Sequence, residues 1–405
     1  MTGTPNDVAT PIVDIRPQTP IAQLDRSRFG AEDSFKPETV APVVGMSLTF
    51  IRKVVGHRGW LSGEDVLALL DQDAFHETFV PRSKILDYLK GCNQGDSESV
   101  DEVPNPESWD LRLGNALDLV REVTASSVNC VVTSTPYWGL RIYEDTQVVA
   151  WADGEVCAYG HEQTPEGFAR HTTETLLALS RILTDDGSIW WNVMDSFNTR
   201  TQIRESAAEA LRAMQGMDSR KWGEYTARRY SAGHSYLKDG EQCLIPQMIA
   251  ERASRAGLYV KTVITWAKRS SMPEPQNSRV SRNLEYVLHI TKQRTPKLAR
   301  QPYHDADPEF GGRNNGWESE KLSDVWVLST SSGGNGHGAQ FPTALPGRCI
   351  ALSTEPGDVV LDPFVGTGTS GIAALHHGCS FIGFDTSQTY LAIAKEKLGS
   401  VNEGH

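Results

Sequence analysis

The residues best placed to do chemistry lie in two runs, each directly behind an apolar stretch. Asp362-Pro363-Phe364-Val365-Gly366-Thr367-Gly368-Thr369-Ser370-Gly371 follows Val359-Val360-Leu361, and Asp385 ends the next apolar run, Phe381 to Phe384. Gly366, Gly368 and Gly371 match the spacing of a dinucleotide-binding loop, with Asp385 where an acid would meet ribose hydroxyls. Such a loop places its first glycine close behind the strand, so that pyrophosphate reaches the helix N-terminus. Here Asp-Pro-Phe-Val intervenes. A longer loop with a carboxylate suits a ligand that carries an ammonium and a sulfonium. Asp362 would face the positive charge, Gly366 and Gly368 would let the backbone pass close, and Phe364 would cover an apolar part. On this loop alone a nicotinamide cofactor stays open.

The second run is Ser134-Thr135-Pro136-Tyr137-Trp138, an unusual turn behind the apolar stretch Val128 to Thr133. A doubly wound sheet places its ligands at such strand ends. The elements around both runs alternate. Leu111 to Leu113 reads as a strand, Ala116 to Val123 as a helix, and Val128 to Thr133 as a strand. A helix from about Pro165 to Leu183 follows, with Gly187 as the turn into Ile189-Trp190-Trp191-Asn192-Val193. Beyond it come the helix Pro246 to Ala256, the strands Tyr259 to Trp266 and Tyr286 to Thr291, a helix near Gly371 to His377, and a last helix Thr389 to Leu398. The β-α-β order predicts an α/β fold of the Rossmann-like, doubly wound kind, with a mostly parallel sheet and crossover helices.

The flanking segments read differently. Residues 1–42 are expected to be a mobile tail, and 43–92 a small helical accessory unit whose Ser62 and Asp65 are spaced as a capping box. Residues 93–108 are expected to be an acidic linker, and 109–400 the catalytic domain. Insertions are expected at about 197–245 and 269–335, where periodicity is poor and basic and aromatic residues gather.

Charge adds a partner class. The chain carries a net charge of -12, yet Ser196 to Arg300 holds 19 Lys and Arg against 9 Asp and Glu. A basic island of that contrast points to a phosphate-contacting surface. The six cysteines include no Cys-x-x-Cys pair, so neither a zinc knuckle nor a disulfide framework is indicated, and no metal site is expected. His161, His171, His376 and His377 are expected in surface or capping roles. No apolar run is long enough to cross a bilayer, and Met1 to Thr19 lacks the features of a secretory signal, so a cytoplasmic protein without membrane contact is expected.

In order along the chain, Thr133-Ser134-Thr135-Pro136-Tyr137-Trp138-Gly139-Leu140-Arg141, Gly187-Ser188-Ile189-Trp190-Trp191-Asn192 with Asp195, Trp266-Ala267-Lys268, Glu285-Tyr286-Val287-Leu288, Asp324-Val325-Trp326, His337-Gly338-Ala339-Gln340-Phe341-Pro342 and Asp362-Pro363-Phe364 form a set. In this set the chain resembles the amino-methylating DNA methyltransferases of the permuted group, in which the catalytic motif precedes the cofactor motif. The likeness covers roughly residues 110–398. It implies S-adenosylmethionine as cofactor, held by Phe341, Pro342, Asp362, Pro363, Phe364, Gly366, Gly368, Thr369 and Asp385. It also implies double-stranded DNA as substrate, with a cognate restriction endonuclease and a homodimer as further partners.

The family motif Ser-Pro-Pro-Tyr goes with cytosine N4, so the resemblance implies a cytosine-N4 methyltransferase of restriction-modification type. An N6-adenine enzyme is the near alternative. A catalytically inactive sequence-specific DNA-binding protein is the alternative of another class. The catalytic residues would be Ser134, Thr135, Pro136 and Tyr137, with Ser134 Oγ and the Thr135 carbonyl accepting from the target amine. Tyr137 and Trp138 would stack on a base flipped out of the duplex. Asn192 and Asp195 are pocket-lining candidates, and Arg220, Arg228, Arg229, Arg269, Arg279 and Arg282 are DNA-contacting candidates. The chain departs from the family at Thr135, where the first proline of the motif is replaced. No cysteine follows a proline, so the nucleophile expected for carbon-5 methylation is missing.

Overall fold

A computed structural model gives the fold. It describes residues 108–138, 146–152, 155–162, 164–198, 237–269, 277–330 and 341–402, with short pieces at 34–35, 37, 58–62, 65, 201–202 and 228–229. The expected tail, accessory unit and linker lie almost wholly outside the described residues. Within them Ser34–Phe35 pairs antiparallel with Leu61–Ser62. The capping pair forms as expected: Ser62 N donates to Asp65 Oδ2 at 2.9 Å, and Asp65 N to Ser62 Oγ at 3.1 Å.

Eight strands build the main sheet: β1 (Trp109–Leu113), β2 (Val128–Ser134), β3 (Leu183–Val193), β4 (Tyr259–Lys268), β5 (Leu284–Thr291), β6 (Val325–Leu328), β7 (Val359–Asp362) and β8 (Ser380–Asp385). Their spatial order is β6-β4-β5-β3-β2-β7-β8-β1. Only β5 runs against the rest: it is antiparallel to β4 and β3, and every other pair is parallel. The central strands read as near-continuous apolar runs because helices cover both faces.

Alternation along the strands divides the core. Val131, Trp191 and Leu361 point into one cluster with Leu176, Leu179 and Ile249, which come from the helices α2 (Pro165–Ile182) and α3 (Ile245–Arg255). Their neighbours Val132, Trp190 and Val360 enter the opposite cluster with Cys349, Ala373 and Leu398, from α4 (Ala344–Ser353), α5 (Thr369–His376) and α6 (Gln388–Asn402). A shorter helix, α1 (Ala116–Arg121), packs beside α2 on the first face. Side-chain caps hold the N-termini of α1 and α2. Asn115 Oδ1 accepts from Asp118 N at 3.0 Å at α1, and Thr164 Oγ1 accepts from Gly167 N at 3.0 Å at α2, where Pro165 opens the helix.

The chain leaves β2 through α2 to β3 on one side, and leaves β7 through α5 to β8 on the other. The carboxyl ends of β2 and β7 therefore adjoin at the point where strand order reverses, which is where open α/β sheets form a ligand crevice.

Two expectations are corrected, and one element is new. Gly187 is not a turn ahead of a strand: β3 already begins at Leu183, and Thr184 to Gly187 bulge out between the pairs Leu183 with Val128 and Ser188 with Cys130. A side chain at 187 would stand 2.8 Å from Asn129 O, so the bulge needs glycine. The segment 269–335 is not wholly an insertion, because β5 lies inside the sheet between β3 and β4, and β6 forms its edge. Helix α4 was not anticipated at all.

Of the segment 197–245, mainly the two ends are described. Phe197 bridges to Gln242, Asn198 N donates to Glu241 O at 2.8 Å, and Cys243 N donates to Ser196 O at 2.9 Å, so these two ends lie side by side between β3 and α3.

Candidate active site

Four strand ends meet at the crevice. Ser134 closes β2 and pairs with Asn192 on β3, and Asn192 in turn pairs with Val287 on β5. Because β5 is antiparallel, its starting residues, Leu284 and Glu285, come to the same end of the sheet. Asn192 Nδ2 donates to Ser134 Oγ at 3.2 Å, to Tyr137 Oη at 3.1 Å and to Glu285 Oε2 at 2.8 Å. The Tyr137 hydroxyl lies 3.2 Å from Ser134 Oγ and donates to Glu285 Oε2. Lys268 Nζ, at the end of β4, pairs with Glu285 Oε1.

Asn192 and Glu285 are buried, and one oxygen of this pocket, Asn192 Oδ1, has no hydrogen-bond partner. A buried acceptor left unpaired costs about 1–3 kcal/mol, so the pocket suits a ligand that brings an N–H donor.

Thr135 is accommodated without disturbing the turn. Its N–H donates to Asn192 O at 3.3 Å and extends the β2–β3 ladder by one residue, a bond that proline could not make. Beneath the turn, Gly160 has a φ of 89°, and a Cβ there would touch Pro136 Cβ at 3.4 Å.

Trp138 is a correction. Its ring is 1% exposed in the core and its Nε1 donates to Glu162 O at 2.9 Å, so it anchors the turn from below and cannot lie on a base. Of the aromatic pair, only Tyr137 is half-exposed at the pocket.

The glycine loop stands at the adjoining strand end. Gly366 (φ 51°) has no atom within 4 Å of the place a Cβ would occupy, so the backbone is open on that side. Gly371 has a different purpose: a Cβ there would lie 2.8 Å from the Phe381 ring, and its absence lets α5 press on β8. Asp385 Oδ2 accepts from Gly366 N at 2.9 Å and Oδ1 from Ser387 N at 2.8 Å, which leaves lone pairs for hydroxyl donors. Burial pushes its carboxyl above the ordinary range. An open backbone beside a half-buried carboxylate with spare acceptor capacity fits S-adenosylmethionine.

Asp362 differs from its expected role of facing a cation. It is 1% exposed, and it braces the loop by accepting from Phe364 N at 2.9 Å and from Ser370 Oγ at 2.5 Å. The Phe364 ring stacks on Tyr159 at 5.0 Å and meets Trp191 edge-on, so it forms wall and not lid. Pro363 is buried beside it, while Thr369 begins α5. Phe341 is buried in one cluster with Val365 of the loop, and Pro342 O accepts from Leu345 N at 3.0 Å in the turn into α4.

Burial also pushes the Asp362 carboxyl up to about 6. The folded chain therefore holds this proton more tightly than the unfolded chain does. The contribution to stability is present at low pH and is lost as pH rises through about 6. Asp362→Asn is expected to gain on the parent in melting temperature as pH rises from about 4 to about 7, measured by thermal unfolding of both across that range. A gap independent of pH would contradict it.

Asp195 is also placed differently. Its carboxylate accepts from Ser196 N, Gln242 Nε2, Leu244 N and Ile245 N at 2.6–3.1 Å, so it fastens the start of α3 and the ends of the segment 197–245 instead of lining the pocket. Leu244 there has a positive φ of 59°, which these bonds hold in place.

Among the arginines, Arg282 Nη1 donates to Asp195 O at 2.9 Å, and Arg279 and Arg282 lie over the Phe197 ring at 3.8 and 5.0 Å. Arg269 is exposed and covers Trp317 at 4.3 Å. Arg228–Arg229 pairs with Thr201–Gln202, and Arg220 lies outside the described residues.

His171 is neither on the surface nor a cap. It is 1% exposed on the inner face of α2, between Glu155 and Glu162. His376 stacks on Phe310 at 3.5 Å, and His377 Nε2 lies 3.0 Å from Phe310 O. Two residues of the pocket, Glu285 and Lys268, were not singled out from the sequence as site residues. Each stood inside a quoted motif, and the signal available was a charged residue at the end of an otherwise apolar strand.

A family described as DNA methylase, of the N6/N4 type, matches residues 128–396. The chain is 30% identical over 286 residues to the type II methyltransferase M.Cfr9I of Citrobacter freundii, covering 70% of this chain and 86% of that protein. It is 30% identical over 322 residues to the type II methyltransferase M.XycI of Xanthomonas campestris pv. cyanopsidis, covering 77% and 96%. Among solved structures it is similar to the PvuII DNA methyltransferase (cytosine-N4-specific), with a TM-score of 0.49, 17% identity, and coverage of 74% of this chain and 95% of that one. No helix among the described residues is long and apolar enough to cross a membrane. With its two motifs at adjoining ends of a doubly wound sheet, the chain belongs to the N6/N4 family of DNA methylases and is a DNA methyltransferase whose cofactor is S-adenosylmethionine.

Proposed function

We propose that this enzyme methylates N4 of cytosine in double-stranded DNA, as the modifying member of a type II restriction-modification pair in the cytoplasm. The observation that supports the base assignment is a serine at the head of the catalytic turn, its Oγ 3.2 Å from Asn192 Nδ2 and 3.2 Å from Tyr137 Oη. The exocyclic nitrogen of cytosine is a poor nucleophile because its lone pair is delocalised into the ring. Ser134 Oγ and the Thr135 carbonyl accept its two N–H bonds and draw the nitrogen toward a tetrahedral shape. Tyr137 lies against the flipped base.

Glu285 holds the hydroxyl of Tyr137 and the amide of Asn192, and Lys268 neutralises it. When bound, S-adenosylmethionine would supply the electrophilic methyl, and Gly366, Gly368 and Asp385 would hold it. The alkylated amine is strongly acidic and releases its proton to water. Arg269, Arg279 and Arg282 follow the DNA backbone beside the pocket. A restriction endonuclease reading the same site is the partner this reading assigns, since M.Cfr9I and M.XycI are type II methyltransferases.

The test is incubation of the purified chain with methyl-labelled S-adenosylmethionine and unmodified DNA, followed by nucleoside mass spectrometry. Labelled N4-methylcytosine is expected. Labelled N6-methyladenine would overturn the base assignment while keeping the fold and the chemistry, and cofactor binding without label would leave a DNA-binding protein.

A further inference from the structure

Behind the catalytic turn the hairpin Val149–Ala150/Val156–Cys157 lies beside α2, and there Glu155, Cys157 and His171 bring three ligand atoms within 4.8 Å of one another. We propose that these three residues bind a divalent transition-metal ion, zinc by the nature of the donors, with Glu162 orienting the imidazole. His171 Nδ1 lies 3.1 Å from Glu162 Oε1, and Nε2 lies 3.7 Å from Glu155 Oε2. An imidazole that donates Nδ1–H to Glu162 turns its Nε2 lone pair toward Glu155. This is the carboxylate-imidazole-metal arrangement that fixes the tautomer of a metal-bound histidine.

Trp151 holds the ring plane, stacked on it at 4.1 Å and 4°, and ties itself to the hairpin by donating Nε1–H to Cys157 O at 3.1 Å. Thiolate, imidazole and carboxylate together suit zinc, whose bonds of about 2.0–2.3 Å would draw the three atoms to roughly 3.3–3.8 Å from one another.

A second, separate feature calls for positive charge. Glu162 is 3% exposed, its Oε1 faces His171, and its Oε2 has no hydrogen-bond partner. Two carboxylates and a thiol are thus gathered around one imidazole, with Arg170 Nη2 at 3.9 Å from Glu155.

The ion would be a positioning device. Glu162 O receives the Trp138 indole and Gly160 supports Pro136, so pinning this segment to α2 stiffens the floor of the catalytic turn.

The test uses the untagged full-length chain and zinc alone. One zinc per chain is expected to survive dialysis, and cobalt(II) in its place should give a near-ultraviolet thiolate charge-transfer band that Cys157→Ser abolishes. Zinc should raise the melting temperature of the parent, but that of Glu155→Gln much less. Glu162→Gln should weaken binding by roughly 10- to 100-fold. Glu155 sits on a partly exposed hairpin, so its variant reports on the site even if Cys157→Ser fails to fold. Zinc lost on dialysis with no effect on melting would overturn the proposal, as would an undiminished cobalt band in Cys157→Ser.

Discussion

Ser134→Ala is expected to lower the turnover number for methyl transfer by roughly 100- to 1000-fold, the scale of losing one oriented polar group that acts on the transition state. The cofactor dissociation constant should stay within the error of the parent's. The serine hydroxyl is the group at the head of the turn, and its loss removes one acceptor for the target amine. The surrounding frame survives, because Asn192 Nδ2 keeps Tyr137 Oη and Glu285 Oε2 at 3.1 and 2.8 Å. The cofactor loop is held independently through Asp385 and Gly366 N at 2.9 Å. Asp385→Ala should therefore show the converse, weak cofactor binding measured by calorimetry. Equal loss of cofactor binding in the two variants would end the division of labour between the two strand ends, and full activity in Ser134→Ala would remove the serine from the chemistry.

The placement of both motifs at strand ends was legible in the sequence because each directly follows an apolar run. Their adjacency was not. The pairing of β2 with β7 joins Cys130 to Val360 and Val131 to Leu361, more than half the chain apart, and no local signal encodes such a pairing. Glu285 was overlooked for a related reason. It enters the pocket only because β5 runs antiparallel and presents its first residues at the end where parallel strands present their last.

Trp138 misled because neighbouring aromatics look equivalent in sequence. At the end of a strand successive side chains take opposite sides, and one of the two enters the core. His171 was decipherable: Phe168, His171, Thr172, Thr175 and Leu176 are all buried, an i, i+3, i+4 pattern along α2. Helix α4 was hidden by Pro346 and Gly347, which usually mark a break. Pro346 is tolerated in the first turn, where its missing N–H has no partner to lose. Gly347 is required, since a Cβ there would lie 2.5 Å from Phe310 O.

The close approach at Gly347 serves a buried ion pair, whose loss gives the largest stability effect expected of a single change. Arg348 is fully buried and meets Glu318 through two bonds, Nη1 to Oε1 at 2.6 Å and Nη2 to Oε2 at 2.8 Å. Nε also donates to Gly311 O and Nη2 to Gly312 O, both at 2.8 Å, and Tyr303 and Trp326 lie within 5.2 Å of the guanidinium. Glu318 also accepts from Asn314 N at 3.0 Å and Val327 N at 3.1 Å, so it ties β6 and the preceding loop to α4.

Glu318→Gln keeps the shape and removes the charge, which leaves the guanidinium buried without its counter-ion. The expected cost is about 3–5 kcal/mol, read as a lower denaturant midpoint at unchanged slope. Adding Arg348→Met removes the stranded charge and should recover much of the loss, because desolvating both ions offsets a large part of their attraction. A double variant no more stable than Glu318→Gln would mean that packing around Arg348, and not its charge, holds this corner of the sheet to α4.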